Sequence, residues 1–188
     1  MAWLLNSLKG GHKKTVEKTF QGELEVTRLV KDARQVSDEC YDMEKKAVKF
    51  FFLSLDVPNH PLFKEQQELS TLPQVSLMSL LKKYDGVTLK EETVRKAADG
   101  TETTVKEKYT IKRLPRYLLL HVKRFSKNNF FKEKNQSIVN FPIRGLDLTD
   151  LVQSASKSRQ VFDLVGTVIH TGKADSGSYK VMALHEPS

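Results

Sequence analysis

Cysteine is almost missing: Cys40 is the one thiol in 188 residues. A single thiol excludes an intrachain disulfide and a cysteine-based zinc cluster, and it points to a reducing compartment. No apolar run reaches the roughly 18 residues that a bilayer span requires, so no membrane-spanning helix is expected. The start, Met1 to Leu8, is apolar but short. It lacks a basic n-region and a small-residue cleavage site, and so reads as a turn or two of amphipathic helix instead of a leader. Arginine-rich tracts and regular aromatic–basic alternation are also missing. His12, His60, His121, His170 and His185 are scattered, with no pair at a metal-ligand spacing. No metal and no cofactor is expected.

Charge is present in quantity. Lys and Arg number 31 against 23 Asp and Glu, a net charge of +8, spread over the mixed runs Lys9–Lys18, Lys82–Lys112 and Lys123–Lys134. Such runs form the solvated surface of a soluble protein. Their excess also suits a partner rich in phosphate or acidic groups. Apolar residues make up 39% of the chain, with 10 Phe, enough for a core. Both ends read as cut, the last segment being strand-like up to Pro187-Ser188.

The pattern along the chain is β-rich. Residues 10–15 read as a loop, and residues 16–30 as a strand with Gly22 as a bulge. Residues 31–46 are charged without a period and read as a loop. Residues 47–56 form the clearest strand of the first half, followed by a connection through Pro58 and Pro61 to Ser70. The stripe Val75, Leu77, Met78, Leu80, Leu81 and Tyr84 predicts a helix ended by Asp85-Gly86. Residues 88–108 fit either a hairpin turning at Asp99-Gly100 or a mobile insertion. Leu118, Leu119 and Leu120, entered through Pro115, predict a central strand buried on both faces. Ile138–Phe141 reads as a short strand stopped by Pro142, and Leu146–Leu151 as a turn leading into a helical segment. A polar loop over 153–160 precedes strands near 161–170 and 178–185, joined by Gly172–Gly177. Early, sparse helices and short turns predict an α+β class with a mainly antiparallel sheet.

Three blocks carry a resemblance: Leu114-Pro115 with Leu118 to Phe125, Val139 to Pro142 followed by Leu146-Asp147-Leu148, and His170 to Tyr179. In this order and spacing they are similar to the ubiquitin-specific proteases, which are papain-like cysteine hydrolases. A looser likeness in Phe20-Gln21-Gly22 and Phe52 to Asp56 extends it toward the start. The resemblance implies the palm and finger sheets of that fold, with residues 1–188 a partial domain truncated at both ends. In that family the last block closes with Gly-His-Tyr, whose histidine activates the nucleophile. Here it reads Gly177-Ser178-Tyr179. A serine hydroxyl does not titrate near neutral pH and cannot take a thiol proton as imidazole does. Lys127 to Phe131, with Glu133 to Asn135, is similar to the inactive, spliceosomal branch of the family. The resemblance thus implies a nuclear, non-catalytic scaffold that joins tri-snRNP proteins. Ubiquitin stays open as a weak partner and RNA contact is left open. A thiol-dependent deubiquitinase with its base moved to His170 or His185, or a module that binds ubiquitin without cleaving it, are the alternatives.

No catalytic residue stands at a matched position. Cys40-Tyr41 resembles the nucleophile dipeptide but is a decoy: it follows Phe20-Gln21-Gly22 instead of preceding it, and its acidic neighbours would make a thiolate scarce. Active members often hold zinc in the fingers through two Cys-x-x-Cys pairs; no such pair occurs here, so the finger sheet must hold by packing. His170 reads as a turn or sheet histidine, and His121 as a sheet-face residue. The basic–aromatic cluster of Lys123, Arg124, Lys127, Phe130 and Phe131 is the candidate docking patch. Phe130 and Phe131 cannot both face inward on a flat strand, and an exposed aromatic beside arginine is a common interface anchor.

Overall fold

The computed structural model describes Ser7 and residues 11–32, 41–58, 72–89, 93–96, 102–127, 132–153 and 158–184. The chain divides into two compact units. One is made of Met1–Leu53, Leu81–Leu119 and Thr149–Ser158; the other of Ser54–Leu80, Leu120–Leu148 and Arg159–Ser188. The first elements are α1 (Gly11–Phe20), β1 (Gly22–Asp32), β2 (Asp42–Phe50), β3 (Leu53–Asp56), β4 (Gln74–Ser76) and α2 (Leu77–Leu81). A 3-10 turn (Lys82–Tyr84), β5 (Thr93–Lys96), β6 (Glu102–Arg113), β7 (Leu120–Lys123), β8 (Phe125–Lys127) and β9 (Lys132–Lys134) follow. The last are β10 (Ile138–Asn140), β11 (Leu146–Asp147), a 3-10 turn (Thr149–Leu151), β12 (Val161–Phe162), β13 (Gly166–Gly172) and β14 (Gly177–Ala183).

The first unit is built on one four-stranded sheet in the order β2-β1-β6-β5. β1 is antiparallel to both neighbours, with Leu24 opposite Val48 on one side and Ile111 on the other. Leu53, Leu81 and Ile111 are fully buried, and Leu24, Phe50, Tyr84, Val105 and Leu114 join them in this unit's core. Gly22 is required where it stands, because a Cβ there would lie 2.2 Å from Cζ of Phe50. The bulge falls one residue later than expected, between Glu23 and Leu24 against β6.

Residues 11–20 are helical, which corrects the loop over 10–15 and the early start of the strand. Val16 and Phe20 lie four apart, a spacing that suits a helix face as well as a strand face. The hydroxyls of Thr15 and Thr19 donate back to the carbonyls of Gly11 and Thr15 at 3.1 and 2.7 Å. The loop expected over 31–46 is corrected at its two ends, since β1 runs on to Asp32 and β2 begins at Asp42, and residues 33–40 lie outside the described residues. All but the last residue of β2 are exposed, so this edge strand carries no apolar period to betray it. The hairpin reading of 88–108 holds, with Lys96 opposite Glu102 across β5 and β6, and the turn at Asp99-Gly100 lies outside the described residues.

The second unit is assembled from short pairs: β3 with β7, β4 with β10, β8 with β9, β11 with β12 and β13 with β14. The β4–β10 pair is parallel. Leu55 and Leu148 are fully buried, with Val57, Leu77, Leu80, Val139 and Leu146 around them in this unit. The expected helix shrinks to α2 and its 3-10 turn, because Val75 is taken by β4 opposite Val139. The doubly buried leucine strand is a correction as well. β7 begins only at Leu120, and Leu119 is 38% exposed. The run of three leucines is a strand entry, where local density of apolar residues does not report burial.

Candidate functional site

β13 and β14 form the hairpin that carries the last sequence block. Its register pairs His170 with Tyr179, Thr171 with Ser178 and Gly172 with Gly177. Opposite residues share a face and neighbours alternate. His170 and Tyr179 therefore project from one face, and Thr171 and Ser178 from the other. Ser178 is exposed.

Two glycines make this turn possible. Gly172 has φ +120°, in the left-handed region, and a Cβ there would come within 2.6 Å of the Ser176 carbonyl oxygen. A Cβ on Gly177 would come within 2.4 Å of the Thr171 carbonyl and 2.5 Å of the His170 Nε2. The His170 ring thus lies over position 177 and requires that it be bare.

His170 is held by rings. Phe125 of β8 meets it edge-on at 5.0 Å between centroids, and Tyr179 packs at 4.9 Å, tilted by 56°. Its Nδ1 is buried without a hydrogen-bond partner among the described residues. The hairpin backbone is pinned by Lys134 of β9, whose ammonium donates to the carbonyls of His170 and Gly172 at 3.0 and 3.1 Å. An orphaned, ring-packed imidazole on the face away from Ser178 is a packing element. It has no route to act at position 178.

The basic–aromatic cluster is placed in part. Lys123 ends β7 and pairs with Asp56 at 2.7 Å, both half-exposed. Arg124 is turned inward, donating to the carbonyls of Asn135 and Ser137 at 3.2 and 2.6 Å. Lys127 ends β8 opposite Lys132. Phe130 and Phe131 lie outside the described residues, as do Cys40, His60 and His185. His12 is exposed on α1 and His121 on β7. Sequence reasoning missed Lys134 and Phe125 as the residues that fix the hairpin. Phe125 closes the first resemblance block and Lys134 falls within Glu133 to Asn135, but neither likeness points to His170; the β8–β9 register sets the two opposite each other. Among the described residues, no three His, Cys, Asp or Glu gather as metal ligands, and no helix is long and apolar enough to cross a membrane.

A family model described as ubiquitin carboxyl-terminal hydrolase matches residues 2–188. Ubiquitin carboxyl-terminal hydrolase 39 of Mus musculus is 36% identical over 206 residues, covering 98% of this chain and 35% of that protein. The probable mRNA-splicing protein ubp10 of Schizosaccharomyces pombe is 30% identical over 191 residues, covering 90% of this chain and 36% of its own length. The chain thus spans about a third of these relatives. A chain of the SAGA Ubp8/Sgf11/Sus1/Sgf73 DUB module bound to ubiquitin aldehyde superposes with a TM-score of 0.61 at 20% identity, over 96% of this chain and 38% of that one.

Proposed function

Because the chain belongs to the ubiquitin carboxyl-terminal hydrolase family and has the α+β, papain-like fold of the ubiquitin-specific proteases, we propose that it serves pre-mRNA splicing as a non-catalytic scaffold. In this reading it supports assembly of the U4/U6.U5 tri-snRNP in the nucleus through protein–protein contacts. Residues 1–188 are fingers and palm of one domain, with the four-stranded sheet as fingers. Lys123, Arg124, Lys127, Phe130 and Phe131 contribute to docking, Arg124 by holding the carbonyls of Asn135 and Ser137.

The observation that carries this reading is Ser178, which stands where the family's active histidine is expected. Its hydroxyl cannot serve as a base near neutral pH. The placement of His170 supports the reading further, since that ring projects from the opposite face of the hairpin. The similarity to a relative named as a splicing protein supports the cellular role.

Capture of the tagged intact protein from nuclear extract tests the role, with bound RNA probed for the small nuclear RNAs of the tri-snRNP. Enrichment of that set is expected. Recovery of ubiquitin conjugates without those RNAs would replace the reading with a ubiquitin-binding one. Thiol-dependent cleavage of ubiquitin conjugates by the intact protein would end the non-catalytic reading.

A further inference from the structure

The registers of β1, β2 and β6 sort their charges onto two faces, because opposite residues share a face and neighbours alternate. One face carries Arg28, Asp42, Glu44, Lys46 and Glu107. Arg28 donates to Glu107 at 2.9 Å, and carboxylates outnumber cations there. Among the residues whose side chains are described, the other face carries Lys45, Lys49, Lys106, Lys108 and Lys112, with Arg113 opposite Glu23, against Glu23 and Glu25. Lys112 holds Glu25 at 3.2 Å. At the far end of this face the Lys106 ammonium donates to the Tyr41 hydroxyl at 3.0 Å and stands 5.1 Å from that ring's centroid.

Lysines on an edge strand are an ordinary guard against unwanted strand pairing, which accounts for Lys45 and Lys49 on β2. The row continues on β6 at Lys106, Lys108 and Lys112, where β6 pairs with β1 and has β5 on its other side only at Glu102–Val105. Residues two apart on one strand repeat about every 7 Å, so Lys106 and Lys108 stand side by side along β6, and the buried Thr110 separates them from Lys112 at the bulge. Lys45 and Lys108 flank Thr27 in register, which carries the charge across to β2.

We propose that this face binds the phosphate backbone of single-stranded nucleic acid, with Tyr41 offering a ring for a base. The chemistry favours phosphate over an acidic protein. The cations of this face are five lysines, point charges that suit a repeating phosphate chain, with Arg113 opposite Glu23 at its end. A positively charged sheet with an aromatic residue is the arrangement on which unstacked bases lie. The proposal stands on the sheet alone and does not depend on the splicing reading.

The test is a fluorescence-anisotropy titration of the full chain with a labelled oligouridylate of about twenty nucleotides, repeated across a range of salt concentrations. The variant combining Lys45→Ala, Lys49→Ala and Lys108→Ala should bind at least about tenfold more weakly at 0.1 M salt and lose about 2 from the log–log salt slope. Lys46→Ala removes a cation from the opposite face and should leave the slope unchanged. If the triple variant melts early, the pair Lys45→Gln and Lys49→Gln on the exposed edge alone should lower the slope by about 1. Binding that survives either set unchanged, or no binding by the parent chain, overturns the proposal. So does capture of polyglutamate in place of the oligonucleotide through the same lysines, which would assign the face to an acidic protein.

Discussion

β1 and β6 run for eleven and twelve residues and each has a neighbour on both sides; β13 and β14 run for seven and have, among the described residues, only each other. The two regions solve the problem of holding antiparallel strands in different ways. The long sheet relies on register and on a buried row, Leu24 against Ile111, so many residues share the constraint. The hairpin has little buried surface: Val168 is 66% exposed, Val181 71% and Tyr179 69%. It depends on a few particular residues: two bare glycines, the ring stack on His170 and the ammonium of Lys134. The catalytic position of the family, by resemblance Ser178, is in neither set. A side chain that supports nothing can change without cost to the fold, which is how an active-site block can lose its base and keep its shape.

Emptying the long sheet's core should have the largest effect. Ile111→Ala removes a fully buried side chain and should cost about 2–5 kcal/mol in urea unfolding followed by circular dichroism. A loss under about 0.5 kcal/mol would mean that the sheet is not held by its core, and the contrast with the hairpin would fail.

Gly177→Ala should cost about 1–3 kcal/mol, since the new methyl meets the Thr171 carbonyl, which is backbone and cannot step aside. The matched control is Gly166→Ala on the same hairpin, where the nearest atom is the Met182 carbonyl at 3.3 Å, and it should cost less. Hydrogen exchange of the β13–β14 amides separates local from global loss. Faster exchange in the hairpin with an unchanged sheet would sharpen the comparison; equal loss in both would erase it.

A smaller effect tests the margin of the long sheet, where Asp85 bridges to Thr110. Its carboxylate accepts from the N–H of Val87 and from the N–H and hydroxyl of Thr88 at 2.6–2.7 Å. Burial pushes its pKa up, but these hydrogen bonds and the charge of Lys82 outweigh burial and hold it below the ordinary 3.8. A lowered folded-state pKa stabilises the fold above the unfolded value and ceases to do so as pH falls through the folded one. Asp85→Asn should therefore cost about 1 kcal/mol at neutral pH. The gap to the parent should be full at neutral pH, begin to narrow at about pH 5 and go on narrowing as pH falls through 3.8 and the lower folded-state value. A gap that closes between pH 5 and 7 would assign the effect to some other group.

The sequence revealed these regions unequally, for physical reasons. The hairpin was legible because glycines and a strand-turn-strand pattern are local: Gly172 and Gly177 and the second strand were placed, whereas the first, read over 161–170, divides into β12, which pairs with β11, and β13. Its fastening was not legible, because Lys134 and Phe125 are far from His170 in sequence and meet it only through side-chain contacts in the folded chain. The core of the long sheet showed through Leu24, whereas β2 did not show, since a solvated edge strand has no apolar rhythm. α1 was misread because a four-residue spacing satisfies both periods. The lysine face was visible only as diffuse charge, because which lysines share a face is decided by the β1–β6 register and its bulge.

The smallest expected effect is also the one that bears on function. Ser178 is exposed, faces away from the ring stack and lies opposite Thr171, so Ser178→His should change stability by no more than about 0.5 kcal/mol. The substitution restores the residue type of the family's base, and the undisturbed hairpin would present that imidazole on the Thr171 face. If the protein is a scaffold, the variant in the intact chain should still fail to release a fluorophore from a ubiquitin–aminocoumarin conjugate, because one restored group does not rebuild a nucleophile, a base and its orienting partner. Release at a measurable rate would mean that the remaining machinery is intact and that position 178 alone silences it. The hairpin would then be a disabled active site, one substitution from use, and its contrast with the long sheet would be between catalysis and binding instead of between two ways of holding strands.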